Sequence, residues 1–189
     1  MAPRLVSDRL LIDRLASLFR ATGFEAASLA QIAEATGLQK SSLYHRFPGG
    51  KEQMSAEVVR AVAQHFADEV LAPLSTAAPL ETRVRQVGRR LDAFYDGGAR
   101  GCLLDMLSVG NPGSEASAAL AAAAEGWMAA FTAVAREAGA TRAEAATRAQ
   151  DAMVAIEGAL VLARVTGDKR PFSRALKRLP DVLLASRRP

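Results

Sequence analysis

Between Gln39 and Lys51 the chain gathers side chains that give and take hydrogen bonds: Lys40, Ser41, Ser42, Tyr44, His45, Arg46 and Lys51. Hydroxyls, an imidazole, a guanidinium and ammonium groups are the chemistry that reaches base edges and phosphate oxygens, and the cations add attraction for a polyanion. Leu43 and Phe47 stand among them four residues apart, the interval that places two side chains on one helix face. A short helix beginning near Gln39 would turn its polar residues outward and hold itself down by those two. Gln39 is a weak cap, so the start of this helix is less securely fixed than a Ser or Thr would make it. Lys51 follows Pro48-Gly49-Gly50 and opens a further helix, where free backbone N–H groups and an ammonium together attract a phosphate.

Such a helix needs others to position it. Ser28 with Gln31 three residues on is a capping-box pattern, and Leu29, Ile32 and Ala33 then share one face. Gly37 can take the positive φ of a sharp exit, and the apolar pattern resumes at Leu38. Two short helices joined this tightly read as helix-turn-helix, whose second helix enters the major groove. On that reading Lys40, Ser41 and Ser42 meet base edges, Ser28, Tyr44 and Lys51 meet phosphates, and His45 and Arg46 serve either. The competing reading is the solvated face of a small helical hairpin. Ahead of the motif, Leu11, Leu15, Leu18 and Phe19 recur at helical spacing, which predicts a helix from Val6 to Thr22 stopping at Gly23. Arg4 and Arg9 near its start are either phosphate contacts or solvated charges.

The chain has 189 residues, half of them apolar, enough for one large or two small domains with a sizeable core. Alanine and leucine dominate, aromatics are only 5%, and no strand-type alternation occurs, so the expected fold is all-α. A net charge of +4 tolerates an anionic partner without demanding one. The single cysteine, Cys102, excludes an internal disulfide and a Cys-rich zinc site. There is no apolar stretch of signal-peptide kind near the start and no uncharged run approaching a membrane span, so a cytoplasmic protein with no membrane partner is expected.

Downstream, a fourth helix should run from Lys51 to Leu71, with Pro73 ending it and Met54, Val58, Ala61, Val62, His65 and Phe66 facing inward. His65 is either a satisfied core histidine or a sensor at the junction of two parts. Residues 75–79 read as a linker. A fifth helix from Leu80 to Tyr95 carries Val84, Val87, Leu91 and Phe94 inward and Arg83, Arg85, Arg89 and Arg90 mostly outward. A long alanine-rich helix from Ser114 to Ala138 brings the only tryptophan, Trp127, beside Met128 and Phe131. These three, with His65, Phe94, Met106, Met153 and Ile156, are candidates to line a ligand cavity, although such residues are as readily plain core. Thr141 and Glu144 form a second capping box, opening a helix to Val165 whose Ala152, Ala155, Ala159 and Ala163 make a shallow stripe. Pro171 begins the last helix, with Phe172, Leu176, Leu179, Val182 and Leu183 on one side and Arg174, Lys177 and Arg178 on the other.

No catalytic constellation accompanies these elements. The two histidines lack metal-ligand spacing, and Gly49-Gly50-Lys51 resembles the tail of a P-loop with His45 where a glycine is required and Glu52 where Ser or Thr is. Gly97 to Gly101 follows a helix instead of a strand, which argues against dinucleotide binding. The sequence therefore points to no enzyme, no cofactor and no metal.

The run Leu-Ile-Asp-Arg-Leu-Ala-Ser-Leu-Phe-Arg-Ala-Thr-Gly-Phe from Leu11, then Ser-Leu-Ala-Gln-Ile-Ala, Thr-Gly-Leu and Ser-Leu-Tyr-His-Arg-Phe-Pro, resembles the N-terminal domain of TetR/AcrR-family transcriptional regulators. The Gly101-Cys102 step before an apolar helix, and the turn Phe47-Pro48-Gly49-Gly50-Lys51-Glu52, resemble the lincomycin-resistance repressor-like (LmrA/YxaF-like) branch. The resemblance implies about nine helices, with an N-terminal three-helix helix-turn-helix domain over residues 1–52 and a C-terminal ligand-binding and dimerisation domain over 53–189. It implies a ligand-responsive repressor binding a near-palindromic double-stranded DNA operator as a homodimer through its last two helices. A small apolar or aromatic effector would release it, the branch including regulators that respond to planar aromatics such as flavonoids and to antibiotics. The alternative is a helical ligand-binding or protein-interaction module that does not touch DNA.

Overall fold

The computed structural model describes residues 7–185, which form nine α-helices and no strand. Arg4, read above as a phosphate contact or a solvated charge, and Val6, the expected helix start, lie outside the described residues. The chain divides by packing into two compact units, one of residues up to 64 with 103–123, the other of 65–102 with those from 124 onward. The first unit thus reaches beyond 52 and takes in a later stretch of the chain.

In the first unit, α1 (Asp8–Ala26) starts at Ser7, whose hydroxyl accepts from the Leu10 N–H, and kinks at Gly23, where φ is 73°. Helix α2 (Leu29–Thr36) opens on the Ser28/Gln31 capping box and closes on Gly37 at φ 72°, whose N–H returns to the Ala33 carbonyl at 2.9 Å. Helices α3 (Lys40–Arg46) and α4 (Gly50–Phe66) follow. Leu11, Leu15, Phe19, Ile32, Leu43, Phe47, Met54 and Val58 bury into one core with Leu103 and Leu107 of α6 (Leu103–Ser108). Arg14 ties α1 to α2 by donating to the Thr36 carbonyl at 2.7 Å, filling one of the acceptors a helix end leaves open.

In the second unit a π turn (Ala67–Leu71) and a 3₁₀ turn (Ala72–Ser75) lead to α5 (Leu80–Phe94). The later half of α7 (Ser114–Glu137), α8 (Arg142–Thr166) and α9 (Arg170–Leu184) complete it, with α9 packed on both α5 and α8. Both halves of the Thr141/Glu144 box form, and Gly167 ends α8 at φ 73°. Among the described residues α7 alone has the length and hydropathy of a membrane span. Glu125 interrupts it, and its large side chains Trp127 and Phe131 are buried.

Three expected facings are corrected. Arg83 is buried, not outward: its guanidinium donates to the Leu74 carbonyl at 2.7 Å and pairs with Glu137, two partners in place of water, while its Nε has none among the described residues. Ala61 and His65 are exposed, because the inward face of α4 is taken by Met54, Val58, Val59 and Phe66. The stripe expected on α8 is divided: Ala152, Ala159 and Ala163 are buried, and Ala155 stays exposed, open to another helix.

Candidate nucleic-acid interface and aromatic cluster

The outward face of α3 follows from its anchors. Leu43 and Phe47 are fully buried, and the helical period then leaves Lys40, Ser41, Ser42, Tyr44 and His45 exposed, with Tyr44 open to 48%. Five neighbouring side chains therefore offer two hydroxyls, a phenol, an imidazole and an ammonium to solvent. Gln39 sits at the N-cap position, and among the described residues its side chain makes no capping hydrogen bond.

Arg46 and Lys51 are engaged differently. The Arg46 guanidinium, half-buried, bonds Glu57 of α4 at 3.0 Å and Asp8 of α1 at 3.4 Å and lies 4.8 Å over the Phe47 ring. The hydrogen bond to Glu57 is the first cause raising its pKa, so it stays a cation and holds the end of α3 between two helices. Lys51 donates to the Phe24 carbonyl at 2.9 Å and the Glu25 carbonyl at 3.4 Å, with its ammonium 4.3 Å from the centre of the Phe24 ring. In this state both cations bind the protein's own framework. Ser28 is exposed, its oxygen accepting from the Gln31 N–H at 3.2 Å and its hydroxyl donating to the Gln31 Oε1 at 2.9 Å.

Residues that sequence spacing did not single out complete this arrangement. Gln53 accepts from the Gly49 N–H at 2.8 Å and donates to Glu57 at 2.8 Å, fixing the turn between α3 and α4. The four-residue steps from Gly49 to Gln53 to Glu57 were the available signal.

The second unit concentrates aromatic rings. Phe66 lies 4.8 Å from Trp127 and edge-on to Phe94 at 5.2 Å, while Trp127 meets Phe131 at 6.0 Å. Tyr95 adjoins Phe94 at 5.0 Å and Phe172 at 5.9 Å, and its hydroxyl donates to the Cys102 Sγ at 3.3 Å. Exposed His65 stacks at the margin, 6.2 Å from Phe94. The Trp127 indole N–H is buried and has no hydrogen-bond partner among the described residues. Such a donor carries a cost that an acceptor atom on a ligand would remove.

Of the ligand-contact candidates, His65, Phe94, Trp127 and Phe131 thus meet in one set of rings. Met128 and Met153 are half-buried and Ile156 is buried in the same unit. Met106 lies on α6, in the first unit, where its backbone carbonyl faces Gly23. Spacing could not reveal that α6 packs with the N-terminal helices. Phe66, Tyr95 and Phe172 join the rings, though sequence spacing marks Phe66 and Phe172 only as packing residues.

Residues 11–58 match the model of the N-terminal domain described as bacterial regulatory proteins, tetR family. Residues 79–178 match that of the LmrA/YxaF-like transcriptional regulator C-terminal domain. The HTH-type transcriptional regulator LmrA of Bacillus subtilis (strain 168) is 26% identical over 186 residues, 92% of this chain and 94% of that protein. The HTH-type transcriptional repressor KstR2 of Rhodococcus jostii (strain RHA1) is 33% identical over 89 residues, 45% of this chain and 43% of that protein. Among solved structures, a cysteine mutant of the TetR-family regulator CifR, complexed with 26-base-pair double-strand operator DNA, superposes with a TM-score of 0.76 at 26% identity. It covers 97% of this chain and 98% of its own.

Proposed function

This chain belongs to the TetR family of bacterial DNA-binding transcriptional regulators, with an LmrA/YxaF-like C-terminal part, and from that premise we propose that it is a cytoplasmic homodimeric repressor released by a small apolar or aromatic molecule. The observation that carries the reading is the exposed face of α3, where Lys40, Ser41, Ser42, Tyr44 and His45 crowd above buried Leu43 and Phe47. Lys40 and the two serines take base edges, and Tyr44, Ser28 and Lys51 take phosphates, Lys51 by leaving the carbonyls it now holds. In functional terms residues 1–52 are the reading head and 53–189 the ligand-binding and dimerisation part.

Dimerisation through α8 and α9 is supported by the apolar side chains α8 leaves in solvent: Val154 at 70%, Leu162 at 50% and Val165 at 75% exposure. Two-fold symmetry then demands half-sites about 34–36 Å apart, or a multiple of that. Release is supported by the unpartnered Trp127 N–H among the rings, which suits a planar ligand bearing an acceptor atom. Coupling of about 1–3 kcal/mol between effector and operator gives a fivefold to hundredfold loss of DNA affinity.

Footprinting the DNA upstream of the chain's own coding region tests the proposal. A protected near-palindrome is expected, bound more weakly by Tyr44→Phe whatever its sequence, with the salt slope of Lys51→Ala lower by about one contact. No protection, or affinity indifferent to salt, overturns it.

A further inference from the structure

A groove on the second unit lies between α5 and α9, with a volume of about 490 Å³. Its floor is formed where the two helices come close. Gly88 of α5 is buried, and a Cβ added there would lie 3.5 Å from the Leu176 carbonyl oxygen of α9. Pro180 stands four residues after Leu176 within α9 and has no N–H to give that carbonyl. The floor therefore joins the small apolar edge that buried Leu176, 8% exposed, and buried Pro180 leave open to a backbone acceptor deprived of its helical donor.

The walls carry an excess of positive charge. Arg85 and Arg89 are one helical turn apart on α5, Lys177 comes from α9, and Asp92 is the only carboxylate in the lining. Arg85 is held by Glu81 at 2.7 Å, an exposed pair of small worth. Arg89 and Lys177 make no ion pair and no side-chain hydrogen bond among the described residues. Cations gathered from two helices outnumber the carboxylates beside them, Asp92 in the lining and Glu81 on Arg85, and an anion between Arg89 and Lys177 offsets their mutual repulsion.

We propose that this groove binds a small amphipathic anion, a carboxylate or phosphate on an apolar body, with its head between Arg89 and Lys177 and its body along Leu176 and Pro180. The volume falls within the roughly 300–1,000 Å³ of small-molecule sites. A recess with an apolar floor suits such a ligand better than the backbone of a duplex, which would cover the cations and leave the floor wet. The ligand differs in charge from the effector proposed for the aromatic rings, so the two sites stand or fall separately.

Decanoate, decyl phosphate and uncharged decanol serve as probes, titrated into the full chain by calorimetry with backbone-amide NMR to place them. At least one of the two anions should bind, shifting amides of α5 and α9, and should bind about tenfold more weakly to the Arg89→Glu/Lys177→Glu double variant and to wild type in high salt. Decanol should bind more weakly than the anions. Both substituted residues are exposed, and an unchanged thermal unfolding curve confirms that the double variant is folded. Trp127 is the only tryptophan, so its emission separates this site from the aromatic cluster: binding in the groove leaves it unchanged. The proposal is overturned if neither anion binds, if the double variant binds as tightly as wild type, if decanol matches the anions, or if the shifted amides centre outside α5 and α9.

Discussion

Helices α2 and α3 are nearly equal in length, eight residues and seven, yet they are fixed in opposite ways. Both ends of α2 are settled by residues next to it in the chain, the Ser28/Gln31 box at its start and left-handed Gly37 at its finish. Helix α3 has no such box at Gln39; it is held by Leu43 and Phe47 beneath and by Arg46 reaching to Asp8 and Glu57. A seven-residue helix is too short to persist on propensity alone, so its orientation is dictated by α1 and α4. The helix proposed to meet DNA is therefore aimed by tertiary contacts, and its first N–H groups, which no side chain of Gln39 occupies, are left for water or phosphate.

The comparison breaks most clearly on stability. Leu43→Ala removes a fully buried anchor and should cost about 2–5 kcal/mol, whereas Ser28→Ala removes one cap and should cost about 1 kcal/mol. Chemical denaturation of both variants measures the gap; equal losses would mean that α3 is fixed no more by its core than α2 is by its cap. The converse change sharpens the point. Gln39→Ser gives α3 the cap α2 already has and should raise stability by about 0.5–1 kcal/mol, read as a shift of the denaturation midpoint at constant slope. If Gln39→Ser lowers stability, the uncapped start is itself a requirement of the packing.

The same contrast explains what the sequence made legible. The two capping boxes, the glycine exits at Gly37 and Gly167 and the helical spacing of Leu11, Leu15 and Phe19 are signals within one or two turns, and the helices they mark were found where expected. The exposed face of α3 was legible for the same reason, since Leu43 and Phe47 set its phase. What stayed hidden depends on partners far along the chain. Arg46 meets Asp8 across 38 residues, and Arg83 pairs with Glu137 across 54, so neither could be assigned a facing from local pattern. Met106 carries no local sign of its unit, because a six-residue helix says nothing of which one it joins. The rings were half legible: Trp127 and Phe131 share one helix at a four-residue step, whereas Phe172 arrives on α9.

Helix α9 offers a third kind of start, and its response should be the smallest. Its N-cap residue, Lys169, makes no side-chain cap among the described residues, and the first turn relies on the Asp168 carboxylate, which accepts from the Arg170 N–H and Nε, each at 2.9 Å. The Arg170 guanidinium first, and its backbone N–H second, hold the Asp168 carboxyl below the usual aspartate range. A depressed native value means that the contribution is complete above the unfolded value of about 3.9 and is lost as pH falls through the native one. The Arg170 amide resonance should then follow a titration with its midpoint below that of an ordinary aspartate, and Asp168→Asn should flatten it. The start of α3, built on an uncharged glutamine, should show no such step in its own amides. A matching step at Lys40 would tie α3 to a carboxylate after all, and the division between helices fixed locally and helices fixed by their neighbours would have to be redrawn there.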